Sequence, residues 1–435
     1  MEKFKTLKSI EKFKNFFKDI PEYPAVRLNN EAFPTTFNPS AGETHLYQIF
    51  KNGTDFKGEK IFKVCQPCLR VIDIDNSAKT PFHKSFFEML AVFFTIPENK
   101  HEKYLQLKTY ITSLAVNFLT KELGLENERL CFTVFGGAKI FGNEIKGDED
   151  IEKILQNFGV KNIKKIYGFD NFIFHEPQNF ENKPIYDINS FTGPRVEVFY
   201  KLNGNFDENL NIKDPSVVEV STFGFENLWI QPNAEKKIFD LVSAKFQIGF
   251  VAFGMERVEM LLQKENSIFN LPQFGQIKNN FKDLVKGQNI VKNEILINKI
   301  IDFLSGALFI CSENFLPGKD GKPYVLRKII RQCILSALLL KLDKDKILEV
   351  FSDTIIALNN VYVSRYQYLS TEKTISVVKD EFLLYINTIE KSMKKFDKLI
   401  KEKGINNIKV EEINYLSNTF GLPVELAKEK LNIEF

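Results

Sequence analysis

The chain has 435 residues, too many for one ordinary core, so two or three domains are expected. An apolar fraction of 44%, with 43 phenylalanines, excludes a disordered chain, and a net charge of +3 neither requires nor excludes nucleic acid. Five cysteines (Cys65, Cys68, Cys131, Cys311, Cys333) form no disulfide framework, and the opening MEKFKTLKSIEKFKNFFKDI is no signal peptide. A reducing cytoplasm is expected, without membrane association, because no run is read as approaching the length of a membrane span.

Residues 1–20 read as a short helix stopped by Pro21 and Pro24. A turn at Pro39-Ser40-Ala41-Gly42 precedes a helix expected to begin near Glu43. Cys65 to Phe94 then reads as two strands flanking a polar loop. This pattern sets Arg70 on one arm and Phe87 and Glu88 on the other, all expected to face one surface. A helix over 102–123, a strand over 130–135 and a helix over 147–158 follow. Val196 to Tyr200 alternates as a strand, and Val217 to Ile230 reads as a strand pair bent near Gly224. In GFVAFGMERVEMLLQ, a strand meets a helix at Gly254, expected to permit close backbone approach, with Arg257 in the first turn. From Asn293 the pattern is almost wholly helical. The expected boundary separates a mixed domain, 1–275, from a helical one, 276–435.

Two arginine-bearing elements far apart in sequence, both facing one sheet, suit attack by a carboxylate on the α-phosphate of ATP. Such chemistry needs the phosphates neutralised, with magnesium bridging them. Arg70 would serve the α-phosphate and Arg257 the departing end, with Phe87 beside the purine and Glu88 accepting from its exocyclic amine. Cys65 and Cys68 have zinc-ligand spacing but lack a second pair, so a plain strand is favoured. Walker A and GxGxxG patterns are absent from the sequence. In the helical half, Lys319, Lys322, Arg327, Lys328 and Arg331 form a basic cluster, read either as a solvated helix face or as an RNA-backbone contact.

CQPCLRVIDIDNSAKTPFHKSFFEML resembles motif 2 of the alanyl-tRNA synthetase family, with PSAG at 39–42 similar to its motif 1 region. GPRVEVFY at 193–200 is similar to GPCGPCxEIFY, and GMER at 254–257 to the end of motif 3. PGKDGKPYVLRKIIRQ at 317–332 resembles the family's PSNEGRGYVLRRIIRRA block, and LSNTFGLPVEL at 416–426 its LYDTYGFPxDL segment. The resemblance implies a class II fold of α+β type: an antiparallel sheet with flanking helices, followed by an all-helical acceptor-stem domain. It also implies ATP and Mg2+ as cofactors, an amino acid and a tRNA acceptor stem as partners, and a possible homodimer. By position, Arg70 would contact the α-phosphate, Phe87 stack on adenine and Arg257 bind the phosphates. Lys319, Arg327, Arg331 and Asn418 would meet tRNA.

The amino-acid pocket departs from the family. VDTGMGLER, whose Asp receives the α-amino group, becomes GFVAFGMER with Phe250 at that place. The Asn of EIWN falls on Thr222 and the Trp of DNFW on Ile173, while Glu219, Glu226 and Asp187 are candidate replacement acceptors. Lys319 stands for the Asn of SNEGRG and Asn418 for the Asp of LYDTYG, which puts base-pair selectivity in question. No HxxxH…CxxxH editing set occurs, and the chain is read as ending before the family's editing and C-terminal domains. The expectation is therefore a ligase for alanine or another amino acid. The alternatives are a non-catalytic paralogue that binds RNA or a protein, and a ligase loading a non-tRNA acceptor.

Overall fold

Alternating aromatic and β-branched residues build two strands, β1 (Lys60–Leu69) and β2 (Phe86–Pro97), paired antiparallel with Cys68 opposite Phe87 and Pro67 opposite Glu88. Between them Val71–Asn76 winds into a 3-10 helix. The computed structural model describes residues 7–31, 36–39, 45–46, 60–97, 101–174, 190–233, 238–282, 284–285 and 290–432. Ser40–Glu43 and Asp187 lie outside these residues, as does most of the helix expected from Glu43, although His45 and Leu46 are helical.

The chain divides into two compact units. One takes in the described residues up to Asn76 and Thr80–Leu271; the other, Ser77–Lys79 and the residues from Pro272 on. The first holds an eight-stranded sheet in the order β1-β2-β10-β9-β8-β3-β6, with β7 also paired to β8. Here β3 is Leu130–Phe135, β6 Ile163–Ile166, β7 Phe172–Phe174, β8 Ser190–Lys201, β9 Val217–Asn233 and β10 Ile238–Gly254. The pairing is antiparallel throughout except for β3 with β6. A separate ribbon joins β4 (Gly137–Ile140) to β5 (Asn143–Lys146).

Among the described residues this unit also holds helices α1 (Lys8–Phe16), α2 (His101–Asn117), α3 (Glu149–Asn157) and α4 (Met255–Leu262). The apolar face of α1 is buried: the Phe13 ring meets those of Phe118 and Phe253, at 6.0 and 6.3 Å. The acidic first turn of α3 complements its dipole, and its N-cap Asp148 accepts from the Ile151 N–H.

Two strand readings are corrected. β9 runs unbroken through Gly224, which is no bend. A Cβ there would stand 2.0 Å from the Phe250 ring and 2.7 Å from Ile173, so glycine makes room for a side chain crossing the sheet, not for a turn. Nor does Gly254 serve close approach: its φ is −69°, and a Cβ would meet nothing nearer than 3.5 Å. Close packing does require glycine at Gly249 of β10, where a Cβ would lie 1.8 Å from the Phe94 ring.

The second unit is helical: α5 (Pro272–Lys282), α6 (Ile290–Ser312), α7 (Gly321–Leu339), α8 (Lys344–Tyr362), α9 (Thr371–Lys403), α10 (Val410–Phe420) and α11 (Val424–Lys430). Gly421 takes a left-handed φ of +71° and ends α10, and Pro423 follows. Phe396, Ile413, Leu416, Leu422 and Ala427 close the core at this end. Contrary to the expectation that no run approaches a membrane span, Val291–Ser312 is long and apolar enough, with a mean hydropathy of 1.7. It is a core helix, 89% of that stretch being buried in the protein.

Candidate active site

β2, β9, β10 and the start of α4 enclose an open-mouthed cleft. Arg70, Phe87, Glu219, Thr222 and Arg257 all line it. The hairpin register explains the first two. The Arg70 N–H donates to the Ser85 carbonyl just past the end of β1, and Phe87 follows on the paired arm. The guanidinium then lies over the Phe87 ring at 5.1 Å, with Nε donating to the Pro39 carbonyl. Arg257 comes from the other direction, in the first turn of α4 directly after β10. Its Nη1 donates to the Glu219 carbonyl at 2.9 Å and meets Oε2 of the same residue at 3.3 Å.

A bulge in β9 puts Glu219 here. The pairing with β8 shifts between Val198 opposite Ser221 and Phe199 opposite Glu219. Both Glu219 and Thr222 thereby reach the cleft, and the Thr222 hydroxyl donates to Glu219 Oε1 at 3.1 Å. Desolvation pushes the Glu219 carboxyl up, but Arg257, Arg70, Thr222 and Arg195 together hold it below the usual range. Lys84 and Glu256 form a buried ion pair at 3.4 Å in the same wall. Burial raises the Glu256 carboxyl against the pull of Lys84.

Glu88 does not share the surface with Arg70 and Phe87. Adjacent residues of a strand point to opposite faces, and Phe87 and Met89 take the cleft side. Glu88 is fully buried; its N–H donates to Glu256 Oε2 at 3.2 Å, and the Cys65 thiol approaches its carboxylate at 3.9 Å. Cys65 and Cys68 themselves, three apart on one strand, point to opposite faces.

Of the three residues assigned to the amino-acid pocket, only Thr222 lines the cleft. Phe250 is 7% exposed and stacks on Phe93 at 5.4 Å, which stacks on Phe62 at 5.5 Å, which stacks on Tyr23 at 4.4 Å. Ile173 belongs to the same buried cluster. Four rings thus run across the sheet and fill the place where a carboxylate was to be replaced.

A second cleft is lined by Lys164, Asp170, Asn171, Arg195, Glu197 and Lys213 among others. Arg195 donates to the Asp170 carbonyl through Nη2 and Nε (2.6 and 3.0 Å) and pairs with Glu197 at 2.8 Å. Burial pushes the Glu197 carboxyl from 4.5 up to about 7, with Arg195 opposing and Glu219 and Asp170 adding to the rise. A carboxyl raised by folding contributes stability below about pH 4.5 that is lost as pH rises through about 7. Glu197→Gln, always neutral, is therefore expected to gain about 1–3 kcal/mol relative to the parent chain at pH 8 and nothing at pH 4.5. Urea midpoints at the two pH values check this.

Glu197, Asp73 and the Lys84–Glu256 pair were not singled out from sequence. The alternation Val196-Glu197-Val198 did carry a signal, because the polar member of a half-buried strand is the one facing a cleft. The β9 bulge left no such trace.

In the helical unit the basic residues are not one solvated face. Lys322 is buried, while Arg327 and Arg331 turn toward α9 and reach Glu381 Oε1 at 3.5 and 2.6 Å. Arg331 also covers the Tyr385 ring at 4.7 Å. Lys319 and Asn418 are exposed. Glu381, 3% exposed, is the anchor of this cluster. Glu381→Gln is expected to cost about 2–3 kcal/mol by leaving two guanidinium groups half-paired, read as a lower urea midpoint.

A sequence profile of the class II (A) tRNA synthetases matches residues 11–433. The chain belongs to this synthetase family. Among curated relatives, the alanine–tRNA ligase of Buchnera aphidicola subsp. Cinara cedri is 28% identical over 415 residues, covering 91% of this chain and 44% of that one. That of Thermotoga petrophila is 28% identical over 84% of this chain and 39% of its own. That of Ehrlichia canis is 26% identical over 93% and 43%. The chain thus spans less than half the length of these relatives. Class II synthetases as a group use ATP and Mg2+. The cleft described here fits that ion: Mg2+ takes one or two carboxylates plus phosphate oxygens, and three carboxylates line it, Glu219 and Asp73 beside Arg70 and Arg257, and Glu256 paired with Lys84.

Proposed function

We propose that the protein activates an amino acid with ATP as an aminoacyl-adenylate and transfers it to the 3′ end of a tRNA. The observation that carries this reading is the meeting of Arg70 and Arg257, from elements far apart in sequence, on one cleft with Phe87. The adenine would displace the Arg70 guanidinium from the Phe87 ring, releasing it toward the α-phosphate. Arg257, fixed by Glu219 and by the Phe82 carbonyl, would hold the departing pyrophosphate. Mg2+, held by Glu219 and Asp73 with the phosphates, would supply charge neutralisation. The nucleophile is the substrate's own carboxylate, so no side-chain nucleophile is required. Catalysis then consists of positioning and charge stabilisation. Lys319 and Asn418 are the exposed residues for the tRNA acceptor stem; Arg327 and Arg331 would support that surface through Glu381.

The aromatic row ending at Phe250 favours a second reading, a non-catalytic paralogue that retains the nucleotide arginines and binds RNA or a protein. ATP–pyrophosphate exchange across a panel of amino acids separates the two. Exchange with at least one amino acid supports the ligase; tRNA binding with no exchange supports the paralogue.

A further inference from the structure

We propose that Glu197, one strand beyond the nucleotide cleft, receives the α-ammonium group of the amino-acid substrate in place of a carboxylate at position 250; this rests on the ligase reading above. The register places Ala252, Thr222 and Glu197 in one row across three strands, and paired residues share a face. Ala252 and Thr222 line the nucleotide cleft, while Glu197 lines the second, so this row joins the two spaces. The next row is Phe250, Gly224 and Arg195, where the ring lies over the glycine and closes the sheet surface. That place is filled: Phe250 is buried among Phe93, Ile173 and Ala252, apolar side chains against which an ammonium group would lose its hydration.

Glu197 has the opposite surroundings. Its side chain is 19% exposed, and Arg195, itself held by the Asp170 carbonyl, meets it at Oε1, 2.8 Å away. Glu219, another carboxylate near the row, faces the nucleotide cleft, where it pairs with Arg257. The substrate side chain, shut out over Gly224, is then directed into the second cleft. There Lys164, Arg195 and Lys213 outnumber Asp170 once Glu197 meets an ammonium group. Lys164 is tethered to the Asn209 and Leu210 carbonyls and so is fixed in place. Such a surround favours a side chain that accepts hydrogen bonds, a carboxylate or carboxamide, over a methyl group.

The test is steady-state ATP–pyrophosphate exchange with the full chain, Mg2+ and the standard amino acids, repeated for Glu197→Gln and Glu197→Asp. The expected result is a preference for an amino acid with a carboxylate or carboxamide side chain. Glu197→Gln should raise its KM about 10- to 100-fold while the KM of ATP moves less than about 3-fold, as for loss of a charge-assisted contact. Glu197→Asp should recover part of that loss, which a purely structural role would not produce. An unchanged amino-acid KM, or equal rises for both substrates, overturns the assignment, and a preference for alanine overturns its side-chain part. Wild-type protein that binds ATP with Mg2+ by calorimetry yet exchanges with no amino acid overturns the ligase reading itself, whatever the variants do.

Discussion

Arg257→Ala is expected to lower ATP–pyrophosphate exchange by about 10³-fold, the scale on which removal of a guanidinium from a phosphoryl-transfer site is felt. Two features set that magnitude. Arg257 sits in the first turn of α4, where the strand before it and the Phe82 and Glu219 carbonyls fix its direction. Its removal also leaves the Glu219 carboxylate without its nearest cation. Arg257→Lys should recover little, because an ammonium is a point charge and cannot keep both carbonyls and a phosphate. Arg70→Ala should lose exchange to a similar degree with almost no change in stability. Its side chain is exposed, and the contacts described are the Pro39 carbonyl and the Phe87 ring. A purely structural pair of arginines would give the reverse pattern, lowered urea midpoints with exchange retained.

The second large effect is on stability. Phe250→Asp would restore the residue type that the alanyl family carries there. It is nonetheless expected to destabilise the protein by about 3–5 kcal/mol, without giving alanine-dependent exchange. The ring it removes is 7% exposed and stacks on Phe93, and the carboxylate it introduces would enter a cluster of Phe, Ile and Ala side chains. Gly224 could not compensate, since its lack of a Cβ is what admits the ring. Urea denaturation and exchange with alanine measure the two halves. A variant as stable as the parent that activates alanine would mean that the aromatic row is no obstacle to the family's pocket.

Much of the sheet unit was legible because its signals are local. The hairpin between Cys65 and Phe94 and the strand-to-helix passage into Arg257 follow from alternation, a polar loop and a change of period. The meeting of the two arginines had no local signal: both elements read as facing one sheet, but nothing in spacing alone brings β2 beside β10. The error at Glu88 was avoidable: neighbours on a strand cannot both face a cleft, and Phe87 already did. Gly224 was misread because a glycine in a strand signals a bend and a crossing side chain equally well. The helical unit hid its own partner in the same way. Arg327 and Arg331 read as a charged face, but Glu381, fifty residues beyond Arg331, is what they meet. Only the packing of α7 against α9 reveals it.

The most direct test of the account is a crystal structure with Mg2+ and a non-hydrolysable ATP analogue. The account predicts one triphosphate between the two guanidinium groups, with Arg70 on the α-phosphate, Arg257 at the far end and the adenine on Phe87. An analogue held by one arginine only, or seated away from this cleft, would contradict it.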